Sequence, residues 1–437
     1  MTADATQFVK WFRAAAPYIH VHRNKIFVIK FDDDAVHGVG FNHLIHDLAL
    51  LNSLGIQLVL VYGTRNSIET LLSARKLSPE YHKGLRVTTA AAMECVKETA
   101  GMLRIEIESK MSMGLGNTPM SNAELRVCSG NYVTAKPLGV IDGVDFQFTG
   151  EIRSIDTGAI LGKLANHEIV LVPPIGYSTT GEAFNLSADR LAAGLAIQLR
   201  ADKLIYLMEA AGLMGGDARL IRQLNLEEAR ILLQDTDETI AIHPYLDAAI
   251  QACAGGVRRA HLIDRRIDGA ILQELFTTDG CGTMISNFPY DVIRPAAVGD
   301  ISGLLTLLEP LERQGVLVER SREKLELEIN HFTVMERDGV VMACAALYPF
   351  PEEHTAEIAC LVVHPDYHNQ GRGEQLLSLM ENEAIKSKLK SIFVLTTHAE
   401  HWFLERGFVN AALDDLPVER KALYNIQRNS KVLIKKL

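Results

Sequence analysis

The chain has 437 residues, of which 48% are apolar and 22% charged, and its formal net charge is −10. That length exceeds one compact core and predicts two or three domains of an enzyme-like protein. The acidic balance excludes a nucleic-acid binder with a basic face, and no run of about 18 apolar residues marks a membrane span.

In chain order, the first predicted element is an amphipathic helix from Thr6 to Tyr18, with Phe8, Trp11, Phe12 and Ala15 at helical spacing. Strands are predicted at Ile26–Ile29, Gln57–Tyr62, Ile169–Val172, Leu204–Leu207 and Arg259–Ile263, with helices between them, notably Phe41–Leu54 and Ser187–Leu199. Continuous apolar strands alternating with helices predict an α/β fold with an open, mostly parallel sheet covered on both faces. Prolines and a non-periodic run at 285–294 predict a linker between a first domain, 1–284, and a second α/β domain, 295–437. There a helix at Asp300–Gln314 precedes two strands joined by Asp338-Gly339, a hairpin signal. A strand ending at Val363, a glycine-punctuated loop and a helix at Glu374–Lys388 follow, then a strand at Ser391–Thr397 and a helix at Glu400–Glu405. Six cysteines without a Cys-x-x-Cys pair predict reduced thiols, and with no secretory signal in the first residues they predict a cytoplasmic location.

Val28-Ile-Lys30-Phe-Asp-Asp-Asp-Ala35, Val61-Tyr-Gly63-Thr-Arg-Asn66 and Asn185-Leu-Ser-Ala-Asp189 resemble the Lys-x-Gly-Gly, Gly-Gly-Gly and Asn-x-x-Ala-Asp segments of the amino acid kinase family, acetylglutamate kinases above all. The likeness spans about Tyr18 to Ile285. It departs where kinases present backbone N–H groups to a phosphoryl group: Asp32, Asp33 and Asp34 replace the glycines. Carboxylates there repel phosphate, so no phosphoryl transfer is expected, and the triple-Asp turn reads as a solvated strand end. Glu274-Leu-Phe-Thr-Thr-Asp-Gly-Cys-Gly-Thr-Met284 is similar to a segment of arginine-inhibited acetylglutamate kinases. That resemblance implies an allosteric arginine site built from Tyr18, Lys203, Glu274 and Gly282, with a carboxylate pairing the guanidinium.

In the second domain, Glu357 to Glu374 reads as a strand, a loop and a helix start, an arrangement that offers free N–H groups to an anion. His368-Asn-Gln370-Gly371-Arg372-Gly373 resembles the Gln/Arg-x-x-Gly-x-Gly/Ala signature of the GCN5-related N-acetyltransferases (GNAT), with His in the first position. The resemblance implies acetyl-CoA held by Leu361, Val362, Val363, His368, Gln370, Gly371, Arg372, Gly373 and Glu374. It implies Glu357 as general base, with a carboxyl raised by apolar neighbours. The family's Tyr acid is replaced by Phe403; the hydroxyl of Thr396 or Thr397, at the end of the preceding strand, would donate a proton or bind a water, with solvent as the other source for the leaving thiolate. Cys360, at the strand centre, reads as a packing residue beside the acceptor rather than a nucleophile. Arg320, Arg420 and Arg428 are the cations that would hold an acidic acceptor.

A kinase-like domain followed by a GNAT domain resembles the layout of the bacterial N-acetylglutamate synthase family. It implies transfer of acetyl from acetyl-CoA to L-glutamate, arginine as feedback inhibitor, a hexamer, and no metal, nucleic acid or membrane partner. Two rivals predict other activities. An acylamino-acid kinase would turn over ATP; an amino-acid-sensing protein lysine acetyltransferase would act on peptides.

Overall fold

The computed structural model describes the chain outside residues 1–2, 115–117, 119, 217–218, 237–239, 278–279, 288–290, 338, 369–370 and 426–427. Two compact units divide it, Met1–Pro289 and Tyr290–Leu437.

The first unit is built on an eight-stranded sheet in the order Gln223–Asn225, Thr283–Ser286, Arg259–Asp264, Lys203–Met208, Ile26–Phe31, Gln57–Tyr62, Ile169–Val172 and Val127–Cys128. Its central neighbours run parallel. Among the described residues, only the pairing of Arg259–Asp264 with Thr283–Ser286 is antiparallel in this sheet. Alternate side chains leave on opposite faces: Val28, Val59 and Val61 enter one buried cluster, Phe27, Ile29, Leu58 and Leu60 the other. Both faces are therefore apolar and must be covered by helices. Helix Ala188–Gln198 starts where the Ser187 side chain accepts the N–H of Arg190. The first helix runs Ala3–His22, longer than its periodic core suggests, and leaves Phe8, Trp11 and Phe12 exposed. A four-stranded sheet of Val133–Pro137, Gly150–Ile155, Ile175–Tyr177 and Ala183–Asn185 has no counterpart among the sequence expectations.

The expected linker, 285–294, is too wide. Ile285 and Ser286 finish strand Thr283–Ser286, and Val292 already opens strand Val292–Pro295 of the second sheet. That strand lies at the sheet edge, where Pro295 needs no N–H for a ladder. Its proline and the proline and polar residues before it hid it.

The second unit is a seven-stranded sheet: Val292–Pro295, Phe332–Arg337, Val340–Phe350, Thr355–Val363, Ser391–Thr396, Lys431–Lys436 and Val409–Ala411. Helix Arg372–Lys386 packs Leu376, Leu377 and Met380 on one face, against Ile358. Helix Ile301–Arg313 packs on the other, against Cys360 and Val362. The parallel neighbours Thr355–Val363 and Ser391–Thr396 pair only over Thr355, Ala356 and Glu357. Beyond Glu357 their ladder stops. On the other side of Thr355–Val363 the register slips between Ala346↔Ala359 and Cys344↔Val362, and Cys360 lies there at φ 51°. This bulge bends the strand away from its parallel neighbour.

Candidate active site and the buried carboxylate site

The unpaired wedge between the two strands opens beside the glycine loop. Gly371, at φ 73°, caps helix Arg372–Lys386 with no side chain to bond the N–H groups of its first turn. A Cβ on Gly373 would lie 3.3 Å from the Trp402 ring, a tight contact that a larger residue would meet only if the ring shifted by a few tenths of an ångström. His368 donates from Nε2 to the Val363 carbonyl at 2.8 Å and ties the loop to the strand end. Gln370 lies outside the described residues. The Arg372 guanidinium is buried and donates to Asp291 at 2.8 Å and to the Tyr367 carbonyl at 3.2 Å, which leaves its backbone N–H to serve an anion. Glu374 is exposed, 3.7 Å from Arg406, whose guanidinium lies 4.0 Å from the Trp402 ring centre. Arg406 is a cation at the loop mouth that sequence reading passed over, although it lies within the Trp402–Phe408 segment already singled out.

Glu357 sits where the parallel ladder ends, and it is buried. Its surroundings differ from the apolar ones expected: Arg420 grips it bidentately, Nε to Oε2 at 2.5 Å and Nη2 to Oε1 at 3.1 Å. Arg420, expected to hold the acceptor, is here the partner of that carboxylate. Arg320 donates to the Val318 carbonyl and Arg428 to that of Val316. The Nε atoms of both are buried and have no hydrogen-bond partner among the described residues. Burial first, then the charges of Arg320 and Arg420, push the Arg428 guanidinium below its ordinary range. Burial pushes the Cys360 thiol up to about 11, so it stays protonated and does not act as a thiolate. Thr396 is buried at the end of its strand, and its hydroxyl oxygen accepts the N–H of Ala399 at 2.9 Å, leaving its proton to give.

The chemistry available is therefore narrow: a wedge with unpaired backbone, an anion-ready helix start, one carboxylate, one hydroxyl and three guanidinium groups. Sequence reading found each of these side chains and missed the contact of Glu357 with Arg420, which spans 63 residues.

In the first unit, Glu274 is buried and both of its oxygens already accept hydrogen bonds. Oε1 accepts from His261 Nδ1 at 2.7 Å, while Oε2 accepts the N–H groups of Cys281 at 2.7 Å and Gly282 at 2.9 Å. Burial would raise this carboxyl, but the His261 contact and the two N–H groups outweigh it and hold it at about 2. Burial keeps His261 below its usual range, so neutral imidazole donates from Nδ1. Gly282 is obligatory, because a Cβ would lie 2.3 Å from the Leu262 carbonyl. Lys203 is buried over the Phe27 ring at 5.9 Å, and Tyr18 lies 6.4 Å from the His22 ring. His22 in turn meets Phe27 and reaches the carbonyl of Leu275, next to Glu274. The four expected residues are thus linked by contacts, and the buried carboxylate expected to pair a guanidinium accepts from His261 and two N–H groups within the chain.

Of the triple-Asp turn only Asp34 is exposed, as a solvated strand end would be; Asp32 and Asp33 are not. Lys30, buried, holds Asp32 at 2.8 Å and Asp189 at 2.7 Å, and Tyr245 donates to Asp32 at 2.6 Å. Asp33 is fully buried and accepts the N–H of Ser67 at 2.5 Å. A Cβ on Gly63 would lie 2.1 Å from Asp32 Oδ1, so the carboxylate fills the space against the one glycine kept from the second loop.

Family models match in the same order. Residues 25–264 fit the amino acid kinase family and residues 302–408 the acetyltransferase (GNAT) family. An amino-acid acetyltransferase of Pseudomonas fluorescens is 47% identical over 431 residues, 99% of this chain and 100% of the relative. One of Photobacterium profundum is 46% identical over 99% of both chains. Among solved structures, N-acetylglutamate synthase from Neisseria gonorrhoeae complexed with coenzyme A and L-arginine superposes with a TM-score of 0.91 at 37% identity, over 98% of this chain and 99% of that one. The same enzyme complexed with coenzyme A and N-acetyl-glutamate gives 0.63 at 38% identity, over the same shares of the two chains.

Proposed function

Since the chain belongs to the amino-acid acetyltransferase family, we propose that it transfers the acetyl group of acetyl-CoA to the amino group of L-glutamate. The observation that carries the acceptor's identity is the pair of buried, unpartnered Nε atoms on Arg320 and Arg428. Buried donors without acceptors are costly, and an acidic acceptor supplies the missing oxygens. The same cations repel a lysine side chain, which argues against peptide acetylation. Asp32 against Gly63 argues against ATP turnover.

Glu357 takes a proton from the acceptor's ammonium, directly or through water. The free amine attacks the thioester carbonyl, whose developing oxyanion faces the unpaired backbone beyond the bulge. The C–N bond forms and the C–S bond breaks. CoA leaves as a thiolate while the attacking nitrogen sheds its second proton, and the thiolate is protonated by solvent or through the Thr396 hydroxyl, which is reprotonated in turn from that nitrogen or from solvent. The helix start after Gly371 holds the donor's pyrophosphate.

The first unit serves as the arginine-binding regulatory domain. Tyr18, Lys203, Glu274 and Gly282 form its site, and a bound guanidinium takes over part of the hydrogen bonding that His261 now supplies. We place the enzyme in the cytoplasm as a hexamer, as the family layout implies.

Release of free CoA thiol, followed with a panel of amino acids and with added L-arginine, tests this reading. Turnover confined to glutamate and reduced by arginine is the expected outcome. Turnover with glutamate but indifference to arginine would remove the regulatory assignment, and turnover only on peptides would overturn the acceptor.

A further inference from the structure

The geometry points to Arg420 as a latch on the general base, released only by an acceptor's own α-carboxylate. The inference rests on Glu357 as base. A carboxylate gripped at both oxygens by one guanidinium has its best lone pairs engaged, and that is the arrangement at Glu357. The ion pair is largely shielded from water, with side-chain exposures of 21% for Arg420 and 10% for Glu357, so solvent does little to loosen it.

An acceptor must bring its nitrogen to Glu357. In an amino acid the α-carboxylate is attached to the same carbon as that nitrogen, so its oxygens arrive within about 3 Å of it, and a charge-assisted contact spans that distance. Arg420 is the guanidinium already touching Glu357 and is the cation within reach. Arg320 and Arg428 keep their own unpartnered donors for the acceptor's second carboxylate. When Arg420 exchanges Glu357 for the α-carboxylate, the charge count around it is unchanged. The freed Glu357 oxygen accepts the proton from the ammonium. An amine without an α-carboxylate leaves the latch closed, so turnover itself, and not only binding, depends on that group.

The test compares L-glutamate with 4-aminobutanoate, which keeps the amine and the distal carboxylate but lacks the α-carboxylate. In the unaltered protein 4-aminobutanoate should turn over at least about 100-fold more slowly than glutamate. In Arg420→Gln the KM for glutamate should rise about 30-fold, while kcat for 4-aminobutanoate climbs about tenfold or more above its level in the unaltered protein. An unchanged or lower kcat for 4-aminobutanoate in a variant with a native circular dichroism spectrum would sink the latch and leave Arg420 as a binding or orienting group. Arg420→Lys, which keeps the charge but not the bidentate grip, guards against misfolding and should show a smaller gain in the same direction. Glu357→Gln is assayed in parallel. If it turned over glutamate at the unaltered rate, the base assignment would fail, separately from the latch.

Discussion

At the scale of single residues, buried charge decides most of the behaviour. Asp47, on helix Phe41–Ser53, is pushed up to about 6 from 3.8, by burial first and then by Asp268, with His43 opposing. Its folded value is raised, so its contribution to stability is complete below about pH 4 and is lost as pH rises to about 6. Asp47→Asn should therefore stabilise the protein by about 1–2 kcal/mol at pH 8, after allowance for partial exposure, and by almost nothing near pH 4. Urea melts at the two pH values check this; equal effects at both would show that the carboxyl is not shifted. The sequence made Glu357, Arg320 and Arg428 legible, because a strand acid ahead of a glycine loop and arginines near it have few other uses together. It could not show that Arg420 holds Glu357, or that His261 holds Glu274. Those are contacts between side chains brought together by folding, and periodicity carries no information about them.

At the scale of elements, one cluster in the second unit ties strands, loop and helix together. Asp291 accepts from Arg337 at 2.9 and 2.8 Å and from Arg372 at 2.8 Å, and both guanidinium groups lie over the Tyr367 ring, at 5.3 and 5.4 Å. Arg372 is the first residue of the helix that opens the glycine loop. Asp291→Asn keeps a neutral acceptor but removes the counter-charge of two buried cations. It should raise the KM for acetyl-CoA about tenfold, equivalent to about 1.4 kcal/mol, with the KM for glutamate within about twofold of normal. Steady-state kinetics in both substrates distinguish this from general damage, which would move both. The central strands were readable from their apolar runs, with Gln57–Tyr62 and Ile169–Val172 found at their observed bounds. The four-stranded sheet was not. Strand Gly150–Ile155 has one buried residue at its end, and Val133–Pro137 alternates over only its first three, so neither has a pattern that stands above a loop.

Across the whole molecule, two units keep their buried polar groups in different ways. In the first, Lys30 balances Asp32 and Asp189 inside the space a phosphate site would need. Lys30→Ala would leave both carboxylates buried without their cation. It should cost about 3–5 kcal/mol, seen as a lower denaturant midpoint, while ATP turnover stays absent in both proteins. A midpoint within error of the unaltered protein would mean that water reaches the pair. In the second unit, the ladder between two parallel strands stops at Glu357, and Arg320, Arg420 and Arg428 are the cations proposed to hold the acceptor.

That contrast bears on how such a protein can diverge. The wedge after Glu357 is made of backbone and persists under most side-chain changes, because what forms it is the parting of two strands. The acceptor pocket changes whenever one arginine does. A lineage carrying this fold can therefore acquire a new acceptor through single substitutions, whereas exchanging its thioester donor would require rebuilding the sheet.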